Sequence, residues 1–126
     1  MLSVSRLFLI LSSISGFLSV ALGAFGAHAL KAIREEYHLK IFHTGVEYQF
    51  FHTFALALVG VLLMKEDSSW LRASGVAFLA GIFFFSGSLY LLTLTKVGRW
   101  GAVTPLGGLL FMVGWALLGV ALMKRS

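Results

Sequence analysis

The sequence predicts an all-α integral membrane protein, a four-helix transmembrane bundle with a short interfacial helix between the first and second helices. Hydrophobic residues make up 59% of the 126 residues and charged residues only 12%, about half the charged share of a soluble domain. A soluble domain of this length could not bury so much apolar surface. The apolar residues also fall into four long stretches that charged residues separate.

The four stretches predict helices at about residues 7–29, 42–64, 73–95 and 105–123 within a single domain, residues 1–126. A helix of roughly 20 residues crosses the hydrocarbon core of a bilayer. Backbone N–H and C=O groups must be paired there, which favours helices over irregular chain. Thr104 is the predicted N-cap of the fourth helix, because Pro105 suits the first helical position.

The segment at about residues 30–41 predicts the interfacial helix. On a helical wheel its apolar residues cluster within about 80°, and its charged residues lie elsewhere. The apolar cluster consists of Leu30, Ile33, Tyr37 and Ile41. A short amphipathic helix lying on the membrane surface has this pattern. The alternative is that the first helix continues past the headgroups.

The charged residues leave the orientation in the membrane open. Four spans place both termini on one side of the bilayer. The basic residues divide equally, with Arg6, Lys65, Arg72, Lys124 and Arg125 on that side and Lys31, Arg34, Lys40, Lys96 and Arg99 on the other. The positive-inside rule therefore does not decide. Lys124 and Arg125 lie directly at the end of the fourth helix. This favours a protein of the bacterial inner membrane with both termini in the cytoplasm.

The sequence Ala27-His28-Ala29 after the first apolar stretch resembles a signal-peptide cleavage site. The apolar stretch is longer than the apolar region of a typical signal peptide. We therefore expect the first helix to be retained.

Charge and motif content exclude several classes of function. The net charge of +5 does not indicate nucleic acid, because the basic residues flank apolar stretches as they do at membrane interfaces. There are no cysteines, so there is no disulfide framework or thiolate nucleophile. With five acidic residues and no catalytic motif, we expect no enzyme, no metal site and no cofactor.

Small residues recur at helical spacing and predict close helix crossings, which stabilise bundles in lipid. The predicted packing positions are Ser12, Gly16, Ser19 and Gly23 in the first helix, Gly81 in the third, and Gly107 and Gly114 in the fourth. A pore lined by small residues is the alternative interpretation.

Four segments of the chain resemble one known family. They are ALGAFGAHAL at 21–30, YQFFHTFALA at 48–57, FSGSLY at 85–90 and TPLGG at 104–108. The chain is similar to the domain-of-unknown-function 423 family, the YwdK/YgdD-type small membrane proteins, whose animal relatives are called transmembrane protein 256. The resemblance implies a four-helix membrane protein and no established reaction. Glu47 lies outside the matching segments.

His52 is the foremost candidate for a functional residue, because ionisable groups near the bilayer midplane are costly. Tyr48 and Gln49 lie on the same side of the predicted helix. We expect a neutral imidazole that is hydrogen-bonded across the bundle to Ser86, Ser88, Tyr90 or a backbone carbonyl of the first helix. A polar pocket, a proton path and metal or haem ligation are the alternatives.

Other polar residues in or beside the apolar stretches have structural interpretations. His43 and Glu47 share a helix face and are expected to pair near the interface. His28 is expected to cap the first helix or to face headgroups. Ser86 and Ser88 form a small polar cluster in the third helix and are expected to stabilise packing.

The predicted function is that of a structural or interaction protein, which self-associates as a homo-oligomer or joins a larger complex with a membrane-protein partner. The lipid bilayer is its other partner. The first alternative is an oligomeric channel or carrier for a small polar solute or protons, with His52 in its polar lining. The second is a bis-histidine haem protein using His28, His43 or His52.

Overall fold

The computed structural model describes residues 3–125, and this part of the chain is helical and contains no strand. Its α-helices are α1 (Val4–Ala27), α2 (Glu36–Lys65), α3 (Ser69–Gly81), α4 (Gly87–Thr95) and α5 (Thr104–Met123). The π-helical segment Ile82–Ser86 joins α3 to α4, so the two form one membrane-spanning unit. The predicted four-helix fold class is confirmed.

Serine caps extend two helices beyond the predicted apolar stretches. The Ser3 hydroxyl accepts from the backbone N–H of Arg6, so α1 begins at Val4. Ser68 accepts in the same way from Leu71 and starts α3. Hydroxyl caps satisfy N–H groups that have no partner within the helix.

The segment between α1 and α2 differs from the predicted interfacial helix. Only Leu30–Ala32 forms a 3₁₀ turn, and residues 36–41 are the first turns of α2. The alternative of a continuous first helix is also wrong, because α1 ends at Ala27. Burial of Leu30 and a bond from Arg34 to the end of α4 fold this segment back onto the bundle.

The start of α5 also differs from the prediction. Val103 is the N-cap residue, and Thr104 is the first residue of the helix. The Thr104 hydroxyl is 2.6 Å from the Ser88 hydroxyl, so it bonds to α4 instead of capping its own helix. Pro105 lies in the first turn of α5, one position after the first helical position that the sequence predicted.

Helix α5 indicates where the hydrocarbon core lies. Its 20 residues rise about 30 Å at 1.5 Å per residue, which is the thickness of that core. Its first residue, Thr104, is level with Ser88, and a Cβ at Gly45 would lie 3.4 Å from Leu89. The turns of α2 before Gly45 and those of α4 after Leu89 therefore extend past the core.

Helix α2 is central to the bundle. It packs against α1 on one side and α3 and α4 on the other, whereas α5 packs mainly against α3 and the π-helical segment. The buried core includes Phe8, Leu56, Val59, Leu71, Phe78 and Phe111.

Several close crossings lie between α5 and the third span. A Cβ on Gly107 would lie 2.6 Å from the Cα of Phe85, and one on Gly114 would lie 2.6 Å from the Phe78 ring. Gly81 is covered in the same way by the ring of Phe111. These three predicted packing positions therefore have no room for a side chain.

The predicted positions in α1 pack differently. Ser12 and Ser19 are buried, and each hydroxyl donates to a carbonyl of its own helix. A Cβ at Gly16 or Gly23 would meet its neighbours at 3.6 or 3.5 Å, which is ordinary contact. The sequence did not indicate Gly75, which the ring of Phe8 covers.

Candidate functional site

His52 is buried where α2 approaches α5, and both of its ring nitrogens have partners. Its Nδ1 lies 2.7 Å from the carbonyl oxygen of Tyr48, and the indole N–H of Trp115 donates to its Nε2 at 3.0 Å. An indole nitrogen can only donate, so Nε2 must be unprotonated. The imidazole is therefore neutral, with its proton on Nδ1. Trp115 lies near the middle of α5, which places His52 near the middle of the membrane.

Aromatic rings fix the orientation of the imidazole. The ring of His52 stacks on Phe111 with centroids 3.5 Å apart and an 8° angle between planes. Phe78 lies at 5.7 Å, and Tyr48 stacks at 6.2 Å. Packed rings of this kind restrict rotation and hold Nε2 toward Trp115.

The predicted bond of His52 to a polar group of a neighbouring helix is present, from Trp115, but the named partners were wrong, because the side chain faces α5 and not α1 or α4. The Ser86 hydroxyl donates instead to the carbonyl of Gly45 at 2.6 Å. Ser88 bonds within its own helix and to Thr104. Trp115 was missed, although an indole N–H inside an apolar helix needs an acceptor, and that requirement could have indicated it.

Gln49 belongs to a second polar cluster, separate from His52. Its Nε2 donates to the carbonyl and the hydroxyl of Ser15, at 3.2 and 3.1 Å. Its Oε1 accepts from the Tyr90 hydroxyl, and the Ser15 hydroxyl pairs with Thr53 at 2.7 Å. The polar stripe predicted on α2 is therefore divided, with Gln49 facing α1 and α4 and His52 facing α5.

The remaining predicted polar residues lie at the membrane edge. His28 is exposed and donates from Nδ1 to the carbonyl of Ala24 at 2.9 Å, which caps α1. His43 Nε2 lies 3.9 Å from a carboxylate oxygen of Glu47, and both side chains are exposed. Within residues 3–125, no group of three or more His, Asp or Glu side chains could hold a metal ion.

Two arginines that the sequence did not single out bond to the ends of helices. Arg34 donates to the carbonyls of Thr93 and Leu94, both at 2.8 Å. Arg125 donates to the carbonyl of Leu62 at 3.0 Å. The last carbonyls of a helix have no partner within it, so these side chains stabilise the ends of α4 and α2.

A groove of about 650 Å³ runs beside His52 between α2 and α5. Aromatic and apolar side chains dominate its walls, including Tyr48, Phe85, Pro105, Leu109, Met112 and Trp115. Because both nitrogens of His52 are already bonded, the imidazole offers the groove no free donor or acceptor.

A four-helix bundle of this length, with its midplane polar groups bonded to one another, defines a small multi-pass integral membrane protein. Residues 22–108 match the model of a family described as a protein of unknown function (DUF423), and the chain belongs to that family. The resemblance in the sequence is therefore confirmed.

The chain is similar over nearly its whole length to membrane proteins of several bacteria. It is 44% identical to the UPF0382 inner membrane protein YgdD of Escherichia coli (strain K12), over 97% of this chain and 95% of the relative. It is 41% identical to the UPF0382 membrane protein YwdK of Bacillus subtilis (strain 168), over 94% and 98%. No solved structure matches the chain.

Proposed function

We propose that this protein is a non-catalytic interaction protein of the bilayer, which associates with a second copy of itself through the outer face of α1. The observation that supports the proposal is that small residues lie on two faces of α1. Ser12, Ser15 and Ser19 face the bundle. Ser13 and Ala21 line a groove of about 520 Å³ on the outer side of α1, which Gly16 and Phe50 of α2 bound where α1 meets α2.

This outer face has few partners within the chain. In the most apolar stretch of α1, 17% of the residues are buried, compared with 50% in α2. Phe17 is 74% exposed beside the groove. Small residues allow helices to approach closely in lipid, where apolar side chains alone give no driving force. A second copy would present the same face, as a two-fold interface requires.

A structural role for the midplane polar residues supports the non-catalytic part of the proposal. His52 and Gln49 are bonded to neighbours within the bundle. A group that already has its partners must lose one of them before it can bind a substrate or pass on a proton.

The absence of cysteine makes cross-linking in native membranes a direct test. Phe17→Cys on α1 is compared with Met112→Cys on α5, since Met112 is also strongly exposed, at 67%. We expect Phe17→Cys to give a disulfide-linked dimer and Met112→Cys to remain monomeric. Equal cross-linking of both variants, or none at position 17, would overturn the interface. Capture of a different membrane protein at position 17 would indicate a larger complex instead.

The alternative of an oligomeric channel or carrier is distinguished by substitutions at His52. In a carrier or proton path, His52→Asn and His52→Gln would fold but lose flux in sealed vesicles. In an interaction protein, they would change stability and leave flux at the level of empty vesicles.

We also propose cytoplasmic termini, which reporter fusions at Met1 and Ser126 would test.

A further inference from the structure

The ends of α1 and α2 that lie near the Leu30–Ala32 turn enclose a cavity of about 300 Å³, here called the interfacial pocket. Small residues of α1 form one wall, and larger side chains of α2 form the other. Lys31 stands at the turn between the two helices. The lining used in the argument is Gly23, Ala27, Lys31, Phe42, His43 and Val46.

The α1 side of the pocket carries no large side chain. A Cβ at Gly23 would lie 3.5 Å from Val46, and one at Gly26 would lie 3.0 Å from the Phe42 ring, so α1 packs directly on α2 here, and Phe42 is only 2% exposed. The open apolar part of the pocket is formed by Ala27, which is exposed, and by Val46, which is partly buried.

The pocket lies where the hydrocarbon core meets the headgroups. Gly45 of α2 is level with the first turn of α5, through Leu89 and Ser88. Phe42 and Val46 flank that level, and α1 ends beside them at Ala27. A molecule in the pocket would therefore have its polar end among headgroups and its apolar end in the core.

The charge at the rim of the pocket is positive. Lys31 is exposed and, within the part of the chain that the structure describes, takes part in no ion pair. His43 also lines the pocket, and its Nε2 lies 3.9 Å from a carboxylate oxygen of Glu47. None of the described side chains that line the pocket is acidic.

We infer that the interfacial pocket binds an anionic phospholipid. Its phosphate lies between Lys31 and His43, and part of one acyl chain lies on Ala27 and Val46. Charge complementarity selects a negatively charged headgroup, because a basic residue near the membrane surface attracts anionic lipid. The apolar part of the pocket selects a lipid over a free phosphate ion, which would leave Ala27 and Val46 uncovered.

The test measures binding of phosphatidylglycerol to the full-length protein in phosphatidylcholine nanodiscs, by thermal stability and by the lipid retained in native mass spectrometry. We expect phosphatidylglycerol to raise the melting temperature. Lys31→Gln should weaken its binding about fivefold, the effect of one basic residue near an anionic surface. The control is Lys65→Gln at the opposite end of α2, which should not change it. Equal weakening by the two variants would overturn the pocket in favour of general surface attraction.

A second variant tests the cavity without changing the charge. Ala27 is exposed, so Ala27→Leu should fold normally, fill the pocket and abolish the preference for phosphatidylglycerol while Lys31 remains. Unchanged binding by Ala27→Leu would overturn the proposal.

Inorganic phosphate alone, added to phosphatidylcholine nanodiscs, should give no stabilisation, and stabilisation equal to that of the lipid would also overturn the proposal. Circular dichroism checks that each variant keeps its helices.

Discussion

The contact between α1 and α2 and the contact between α3 and α5 use small residues in opposite ways. Between α1 and α2, the Ser15 hydroxyl bonds to Thr53 and accepts from Gln49, while Gly16 and Gly23 are at ordinary distances from their neighbours. Between α3 and α5, rings lie directly on Gly81 and Gly114. The first contact adds a close approach of Gly60 to Leu9 to its several hydrogen bonds. The second includes one such bond, from the Ser74 hydroxyl to the carbonyl of Gly114 at 2.7 Å. Hydrogen bonds therefore contribute more to the first contact and ring packing more to the second.

The difference shows that a stripe of small residues does not by itself identify the mode of packing. A glycine allows a close crossing only where the opposite helix supplies a side chain or backbone that fills the space. Phe78 and Phe111 supply it for α3 and α5. The matching stripe on α1 meets the smaller Thr53 and Val46, so serine hydroxyls contribute more there.

Gly107→Ala should have the largest effect, because its Cβ would overlap the backbone of Phe85, and backbone cannot move aside as a side chain can. We expect the free energy of unfolding to fall by about 3 kcal/mol, the upper end for overpacking. Gly108→Ala is the matched control, since its Cβ would lie 3.9 Å from Phe85. The measurement is reversible unfolding in detergent, and similar stability of the two variants would contradict the close crossing.

Gln49→Leu should weaken the contact of α1 with α2, because Tyr90 and Ser15 lose a partner inside the membrane. We expect a loss of about 1–2 kcal/mol in the free energy of unfolding, the range for such bonds in lipid. Ser13→Ala is the control, since the Ser13 hydroxyl bonds only to its own helix, at Leu9. A loss no greater than that of the control would show that this contact does not depend on hydrogen bonds.

Trp115→Phe removes the N–H that donates to His52 and keeps an aromatic ring, which is smaller than the indole. We expect a loss of about 1 kcal/mol in the free energy of unfolding. The ¹⁵N resonance of His52 Nε2 should shift toward that of an unbonded imidazole nitrogen, while Nδ1 stays protonated. Trp70→Phe at the membrane edge is the control. An unchanged Nε2 resonance in Trp115→Phe would exclude the bond.

Gly23→Ala should have the smallest effect, below about 0.5 kcal/mol, because its Cβ would make ordinary contact with Val46. The measurement is thermal unfolding of Gly23→Ala and Gly107→Ala under the same conditions. It compares the loss of stability at the contact of α1 with α2 and at the contact of α5 with the third span. A large loss at Gly23 would mean that α1 and α2 also depend on close crossing.

The sequence predicted the four spans well, because apolar length and flanking charge follow from the thickness of the bilayer. It placed the start of α2 too late, since a helix can continue past the headgroups, as α2 does from Glu36. A helical wheel shows that Tyr48, Gln49 and His52 share one side. It cannot show that two different helices approach that side, which is why Trp115 was missed.

The π-helical segment Ile82–Ser86 is the place where the third span can lose a residue without turning its second half. A π-helical turn amounts to one residue added to an α-helix and absorbed within the turn. Deleting one residue there would restore an α-helical turn and leave α4 at nearly the same rotation relative to α3, so that Tyr90 would still face Gln49 and Ser88 would still face Thr104. Deleting one residue from α3 itself would instead rotate everything after it by about 100°. Relatives that keep both polar contacts and have one residue fewer in the third span should therefore lack it in this segment.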